Sequence, residues 1–482
     1  MLTPVEEAGL AGQRLAGRIR KALWSLGDAR LAELLHQIED AARAAHLVYL
    51  RDDVEETVRV FATPIAALPD QLSYVRTATL LLSNALRRLP ELYLGDAEVA
   101  RVLALPPEED AWLRACWGPQ HREANPVFAR HDAVCDFASP GWQRSLQFIE
   151  PNLTGVGGLH MIPAAEQLIS RVVLPVLHQR DPSLELERAQ DIRGLLMQEL
   201  VDHCQAIGRP PRTICFVEPK YEGAGPDEQG ELARYFHDHF QISVCHADPS
   251  ELSLDGDEVL FRGQVIDLAY RDYGVVDLLE VAAEGVDIEP MRALFRQNRM
   301  VSSIGAELDQ KACWEVLSDP VFSRHFGPDE RRIFQRHLPW TRLVAERRTT
   351  LADGSVVELL PHVLAEREHL VMKPNRGYGG TGVAIGAATS AARWAELVDA
   401  ALADPERWVV QQAVTLPAMD FPVLDDAGAV HVEPFYVVFG FAASAYGLAS
   451  LGRASQHHVV NLAQRGGMCT LAVGHPPGRL AR

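Results

Sequence analysis

Lys373 ends the apolar run Leu370-Val371-Met372 and is followed by Pro374-Asn375-Arg376-Gly377-Tyr378-Gly379-Gly380-Thr381-Gly382-Val383. Such a pattern predicts a strand that delivers an ammonium group and then turns into a loop rich in approachable backbone amides. Glycines let N–H groups reach phosphate oxygens without interference from a Cβ, so the run reads as a nucleotide clamp. It is not a Walker loop, because the lysine precedes the glycines and no Gly-Lys-Ser/Thr follows. The spacing also departs from the dinucleotide fingerprint Gly-x-Gly-x-x-Gly. On these residues alone, a hairpin whose glycines only supply positive φ is an equally good reading.

The chain has 482 residues, more than one core usually organises, so two to four structural units are expected. A formal charge of −19 argues against a general nucleic-acid binder, which needs clustered Lys and Arg. The seven cysteines (Cys116, Cys135, Cys204, Cys215, Cys245, Cys313 and Cys469) show no Cys-x-x-Cys spacing, which fits a reducing, cytoplasmic setting better than a disulfide framework or zinc ribbon. Early acids at Glu6 and Glu7 do not suit a secretory signal, and no apolar window approaches the length of a membrane span.

From Glu6 to about Arg114 apolar residues recur at three- and four-residue steps, which predicts an α-helical N-terminal region over 1–115. A mixed α/β body is expected over 116–205. A small α/β lobe, the expected substrate side, follows over 206–300, where Thr213–Val217, the helical Gln229–Phe240 and Ile242–Cys245 spell a β-α-β unit. The remaining 301–482 alternates helix and strand around the lysine and glycine run.

Two further clusters carry chemistry. Arg130-His131-Asp132 and Glu150-Pro151-Asn152 each hold polar side chains two apart, which point to one face of an extended segment. Two carboxylates and an amide oxygen are hard donors of the kind magnesium prefers; a solvated strand face with a surface Arg–Asp pair is the blander alternative. Lys311, in Leu308-Asp309-Gln310-Lys311-Ala312, gains weight only beside Lys373. Arg271 could hold a substrate carboxylate bidentately, or pair structurally with Asp272 or Asp277.

Taken in order, Arg-x-Asp, Glu-x-Asn, a Lys-Ala helix start and Lys-Pro-x-x-Gly-x-Gly-Gly resemble the circularly permuted ATP-grasp proteins, glutathionylspermidine synthetase among them. The likeness covers roughly 125–475. It implies an α/β (α+β) ATP-grasp fold in which the metal-binding half precedes the lysine-bearing half. It also implies magnesium on Asp132, Glu150 and Asn152, and Arg130 at an acyl-phosphate transition state. ATP phosphates would meet Lys311, Lys373, Arg453 and the loop glycines Gly377, Gly379, Gly380 and Gly382. Trp408-Val409-Val410-Gln411-Gln412 resembles the segment that receives adenine, with backbone groups of Val410 and Gln412 meeting the base edge, and Asn461 resembles a late polar group of the substrate site.

The activity so implied is ADP-forming amide synthesis from a small-molecule or peptide carboxylate and an amine. No amidase or polyamine-recognition region is evident, and the helical 1–115 does not align, so neither substrate carries over. A phosphotransferase of the same superfamily and a catalytically silent scaffold stay open, as does self-association.

Overall fold

The computed structural model describes residues 2–475 apart from 52–53, 220–224, 227, 378, 426, 461 and 463–465. Asn461 therefore lies outside the described residues.

Among the described residues, an antiparallel sheet of six strands forms one wall of the molecule. Its order is Gly467–Cys469, Gly447–Ser455, Val430–Ser444, His131–Val134 and Gln147–Glu150, with Ala418–Leu424 also paired to Val430–Ser444. Facing it is a smaller antiparallel sheet in the order Thr341–Leu343, Trp408–Gln412, Leu370–Pro374, Ala384–Ile385. Its own core gathers Trp340, Leu359, Val363, Met372, Trp394 and Val410 under the helices Leu359–Ala365 and Ala391–Ala403. In the latter helix Ser390 caps the N-terminus by accepting the N–H of Arg393.

A third sheet is parallel, in the order Met300–Val301, Leu268–Arg271, Thr213–Val217, Ser243–Ala247. The helix Gln229–Phe240 is the crossover between Thr213–Val217 and Ser243–Ala247, as the alternation of short apolar runs and a longer amphipathic one requires. Gln264–Val265 closes a hairpin with Glu258–Phe261 around Gly263, whereas Leu268–Arg271 leaves that hairpin and enters the parallel sheet.

The N-terminal stretch differs from the expected all-helical region. Helices run Pro4–Trp24, Asp28–Ala44 and Pro69–Leu86, but Val48–Arg51, Val54–Thr57 and Ile65–Ala67 between them are strands. The segment from Leu47 to Pro64 is rich in Val and Thr, β-branched residues that favour extended backbone, and it carries Pro64 against helix continuation. Ile65–Ala67 is fully buried because it pairs in parallel with Leu471–His475, near the other end of the chain. Phe61 seals the same junction, its ring 4.4 Å from that of Phe421 and 4.8 Å from that of Phe435. No described helix is long and apolar enough to cross a membrane. All seven cysteines are unbridged.

Candidate functional site

Antiparallel pairing of His131–Val134 with Gln147–Glu150 sets Asp132 directly opposite Glu150. The register shifts between Asp132 and Ala133, leaving Ile149 as an extra residue on its strand. A bulge of this kind re-aims local groups. Here the Ile149 carbonyl accepts from Lys373 Nζ at 3.4 Å and from Gln411 Nε2 at 3.3 Å, which ties the large sheet to the smaller one. Asn152 lies just beyond the strand, where its Nδ2 donates to Arg130 O at 2.9 Å and its carbonyl accepts the Arg130 N–H at 2.9 Å. The two i, i+2 pairs thus sit on adjacent segments, as alternation along extended chain predicts.

A cavity of about 590 Å³ opens between the sheets, and Arg130, Asp132, Glu150, Asn152, Lys373, Gly379, Gly380, Gln411, Gln412 and Arg453 all line it. Lys311 lies behind the lining residue Glu150, with Nζ 2.9 Å from Glu150 Oε1 and 2.5 Å from the carbonyl of Gly377. Arg453, on Gly447–Ser455, places Nη2 2.7 Å from Asp132 Oδ2. Four cationic side chains (Arg130, Lys311, Lys373, Arg453) thereby meet the two carboxylates of Asp132 and Glu150, and the surplus is positive in a protein whose total charge is −19.

Burial would raise the pKa of Asp132, but Arg453 and Arg130 outweigh it and hold the carboxyl below its ordinary range. Burial lowers Lys373 from 10.5 to about 8, with Glu150 opposing that shift and Lys311 adding to it. Its ammonium donates to Gln411 Oε1 at 2.9 Å, and Gln411 is steadied in turn by Thr341 Oγ1 at 2.9 Å. Four buried polar atoms converge without a hydrogen-bond partner among the described residues: Arg130 Nε, Asp132 Oδ1, Arg453 Nε and Arg453 Nη2, the last held to Asp132 Oδ2 as an ion pair. Arg130 Nε and Asp132 Oδ1 are 3.5 Å apart, an ion pair too poorly aligned for a hydrogen bond. Unsatisfied groups of this kind are costly unless something else completes them.

The glycine run follows its strand as expected and folds back over the cavity. Gly379, Gly380 and Gly382 have φ of 68°, 74° and 74°, a region that side chains with a Cβ rarely enter. At Gly380 a Cβ would also lie 2.3 Å from Val459 Cγ1. Tyr378 lies outside the described residues.

Several residues in this centre carried no sequence signal of their own. Asp309, fully enclosed, accepts the N–H of Leu153 at 2.7 Å and of Thr154 at 3.4 Å, and burial raises its pKa to about 7. Asn375 accepts the N–H of Ala312 at 2.9 Å through Oδ1 and donates to Gln310 Oε1 at 2.8 Å, while its carbonyl accepts the Lys311 N–H at 3.0 Å. Gln310 reaches Leu103 O at 2.9 Å. Residues 309–312 therefore clasp the carboxylate segment, the glycine-loop strand and the N-terminal helical layer together. Arg376 adds a bidentate bond to buried Glu109 at 2.7 and 2.5 Å.

Other expectations require correction. Arg271 does not line the cavity: it is 0 % exposed and its guanidinium is spent on Glu307 Oε1 at 2.6 Å and on the carbonyls of Ser302, Tyr273 and Ser303. With its donors so engaged inside the protein, it is a structural ion pair with Glu307 and not a ligand for a substrate carboxylate. The backbones of Val410 and Gln412 also have prior partners. Val410 is ladder-paired between Arg342 and Met372, and the Gln412 N–H goes to Trp340 O at 2.8 Å. Beyond the strand, Ala413, Val414, Thr415 and Leu416 line the cavity beside Val438 and Val460, which form an apolar slot. His458 lies against Tyr436 with ring centroids 4.5 Å apart, and among the described residues no group of three or more His, Cys, Asp and Glu converges as a metal nest.

No family model matches the sequence. A putative glutamate–cysteine ligase 2-2 of Frankia casuarinae is 36% identical over 274 residues, which are 55% of this chain and 29% of that protein. A putative glutamate–cysteine ligase 2-3 of Frankia alni is 39% identical over 77 residues, 16% of this chain and 8% of that one. The chain thus spans under a third of the length of these curated relatives. Among solved structures, the apo form of a glutathione synthetase-like effector of Globodera pallida aligns with a TM-score of 0.62 at 11% identity, covering 92% of this chain and 97% of the other. What the two share at that identity is the fold, and this chain has the fold of a glutathione synthetase-like protein over nearly its whole length.

Proposed function

We propose that the chain is an ATP-dependent carboxylate–amine ligase of circularly permuted ATP-grasp type, forming an amide through an acyl phosphate with release of ADP and phosphate. The observation that carries this reading is the meeting of two distant stretches, 130–152 and 311–382, at one cavity where cations outnumber carboxylates beside a glycine loop. The names of the Frankia relatives and the fold likeness support the same reaction class.

Magnesium fits the donor set. Asp132 and Glu150 offer carboxylate oxygens, Asn152 an amide, and Oδ1 of Asp132, buried beside Arg130 and accepting no hydrogen bond among the described residues, is an oxygen that a metal ion would complete. When bound, magnesium would neutralise phosphate oxygens as a Lewis acid. Lys311, Lys373 and Arg453, now held by Glu150, Gln411 and Asp132, are the groups that would turn to a triphosphate. Arg130, with Nη1 donating to Gly157 O at 2.5 Å, stands at the far side, where it would stabilise charge developing on the acyl group. The slot of Leu416, Val438 and Val460 would take the purine face, and the chain at Val414 and Thr415 its edge. Closure of the glycine loop would keep water from the acyl phosphate, which otherwise hydrolyses.

The test is ADP release measured with acids and amines singly and together. A ligase requires both for sustained turnover. Release that needs only one acceptor would instead mark a phosphotransferase, and no release with any pair would contradict the proposal.

A further inference from the structure

A second cavity, of about 510 Å³, adjoins the one described above, and Tyr49 and Leu462 line both, so a single layer of side chains stands between them. It lies where the helix Asp28–Ala44 approaches the strands Val54–Thr57 and Ala418–Leu424. Leu35, Ile38, Val58, Phe61 and Val423 give it an apolar lining. Ligand cavities of roughly 300–1,000 Å³ take one small molecule each, whereas amide synthesis driven by ATP brings three reactants together. The first cavity, at about 590 Å³, suits a nucleotide and the reacting ends, and the adjoining one offers room for the rest of a substrate.

The charged groups around the second cavity are not equally available. Asp425 accepts the N–H of Ala427 at 2.9 Å and of Ala429 at 2.8 Å and pairs with His431 at 2.8 Å. Glu39 stands 3.8 Å from both His36 and Arg43, and Glu56 is engaged as well. Arg59, which lines the same cavity, differs: among the described residues its guanidinium makes no hydrogen bond, ion pair or ring contact. Its backbone is nevertheless fixed, because Arg59 O accepts the Met468 N–H at 2.7 Å and the Phe61 N–H goes to Met468 O at 2.9 Å. A guanidinium without a partner, on fixed backbone beside apolar surface, suits a carboxylate carried on an apolar or amide spacer.

The two cavities meet at the Arg130 end of the first. Ala45, just before Tyr49, accepts from His160 Nε2 at 3.3 Å, and Gly157 of the same loop accepts from Arg130 Nη1 at 2.5 Å. Leu462 packs in one core cluster with Leu159 and Met161 of that segment. The reactant that extends from this end is therefore the one whose acyl group faces Arg130.

We infer that the second cavity is the acid subsite of the proposed ligase: the reacting carboxylate lies beside Arg130, the body of the acid passes between Tyr49 and Leu462, and a second carboxylate at its far end meets Arg59. The substrate class is an elongated acid with a remote carboxylate. The inference rests on the ligase reading.

The test uses hydroxylamine as the amine, so that ATP-dependent hydroxamate reports activation of the acid alone. Glutarate, suberate, γ-glutamylcysteine and glutathione are compared with the monoamides that lack the remote carboxylate, and acetate serves as a short acid. The parent protein should show a KM about tenfold lower for a long diacid than for its monoamide. Arg59→Gln should raise KM for the diacid by about tenfold and remove that preference, while KM for ATP moves by no more than about twofold. Thr57→Trp, at an exposed position in the lining, should fill the cavity and raise KM for long acids more than for acetate. Absence of the preference in the parent, or an unchanged diacid KM in both variants, would overturn the subsite while leaving the ligase reading in place. Failure of every acid, acetate included, to give ATP-dependent hydroxamate would overturn the ligase reading itself, and the subsite with it.

Discussion

Lys373 concentrates the electrostatic argument at the scale of one side chain. Enclosure lowers its pKa to about 8, so the ammonium is present below that pH and is lost as pH rises through it. A phosphate-holding role then demands that nucleotide affinity decline on the alkaline side, by up to about tenfold per pH unit once the lysine is largely neutral. Titrating a non-hydrolysable ATP analogue with saturating magnesium between about pH 8 and 9.5 checks this, because the terminal phosphate completes most of its second ionisation below that range. Lys373→Met should bind weakly with a much flatter profile, and an identical slope in that variant would remove Lys373 from the clamp. Chemical type and spacing point to this lysine, Gly379, Gly380 and the 130–152 pairs, which the fold brings to one cavity. Arg271 was equally visible and equally charged, yet its partner Glu307 lies 36 residues away, and only the tertiary fold brings that carboxylate to it.

At the scale of elements, the clasp at 309–312 is the part with the clearest mechanical consequence. Asn375 is 1 % exposed and serves Gln310 and the backbone of Lys311 and Ala312 at once. Replacing it with alanine strands the Ala312 N–H and the Gln310 amide in the interior, at a cost of about 1–3 kcal/mol for each group left unpaired. Asn375→Ala should therefore lower the thermal midpoint and also weaken nucleotide binding, since Lys311 sits on the released segment. A lowered midpoint with unchanged nucleotide affinity would confine the clasp to a structural role. Strands were the harder elements to read. Thr213–Val217 and Leu370–Pro374 announce themselves as apolar runs bounded by turn residues, whereas Val48–Arg51 and Val54–Thr57 are short, part polar and flanked by long helices, so helical periodicity on either side masks them. Likewise the end of Trp408–Gln412 is set by its two sheet neighbours and not by anything local.

Across the whole molecule, an acidic protein encloses a positive centre. A net charge of −19 works against polyanions at the surface at large, while the surplus of arginine and lysine at one cavity is what the proposed triphosphate would meet. The N-terminal layer belongs to that centre: Leu103 receives Gln310, Glu109 holds Arg376, and Ile65–Ala67 is paired with the C-terminal strand. Helical periodicity gave no hint of these ties, because each depends on which face of the layer meets the rest of the chain. The central claim, that carboxylates near one end and amines 160 or more residues later serve a single triphosphate, is tested most directly by calorimetry with a non-hydrolysable ATP analogue, with and without magnesium. The account predicts one magnesium-dependent site, weakened at least about tenfold by Glu150→Gln and independently by Lys373→Met. Binding heat absent from the parent protein, or undiminished in both variants, would contradict it.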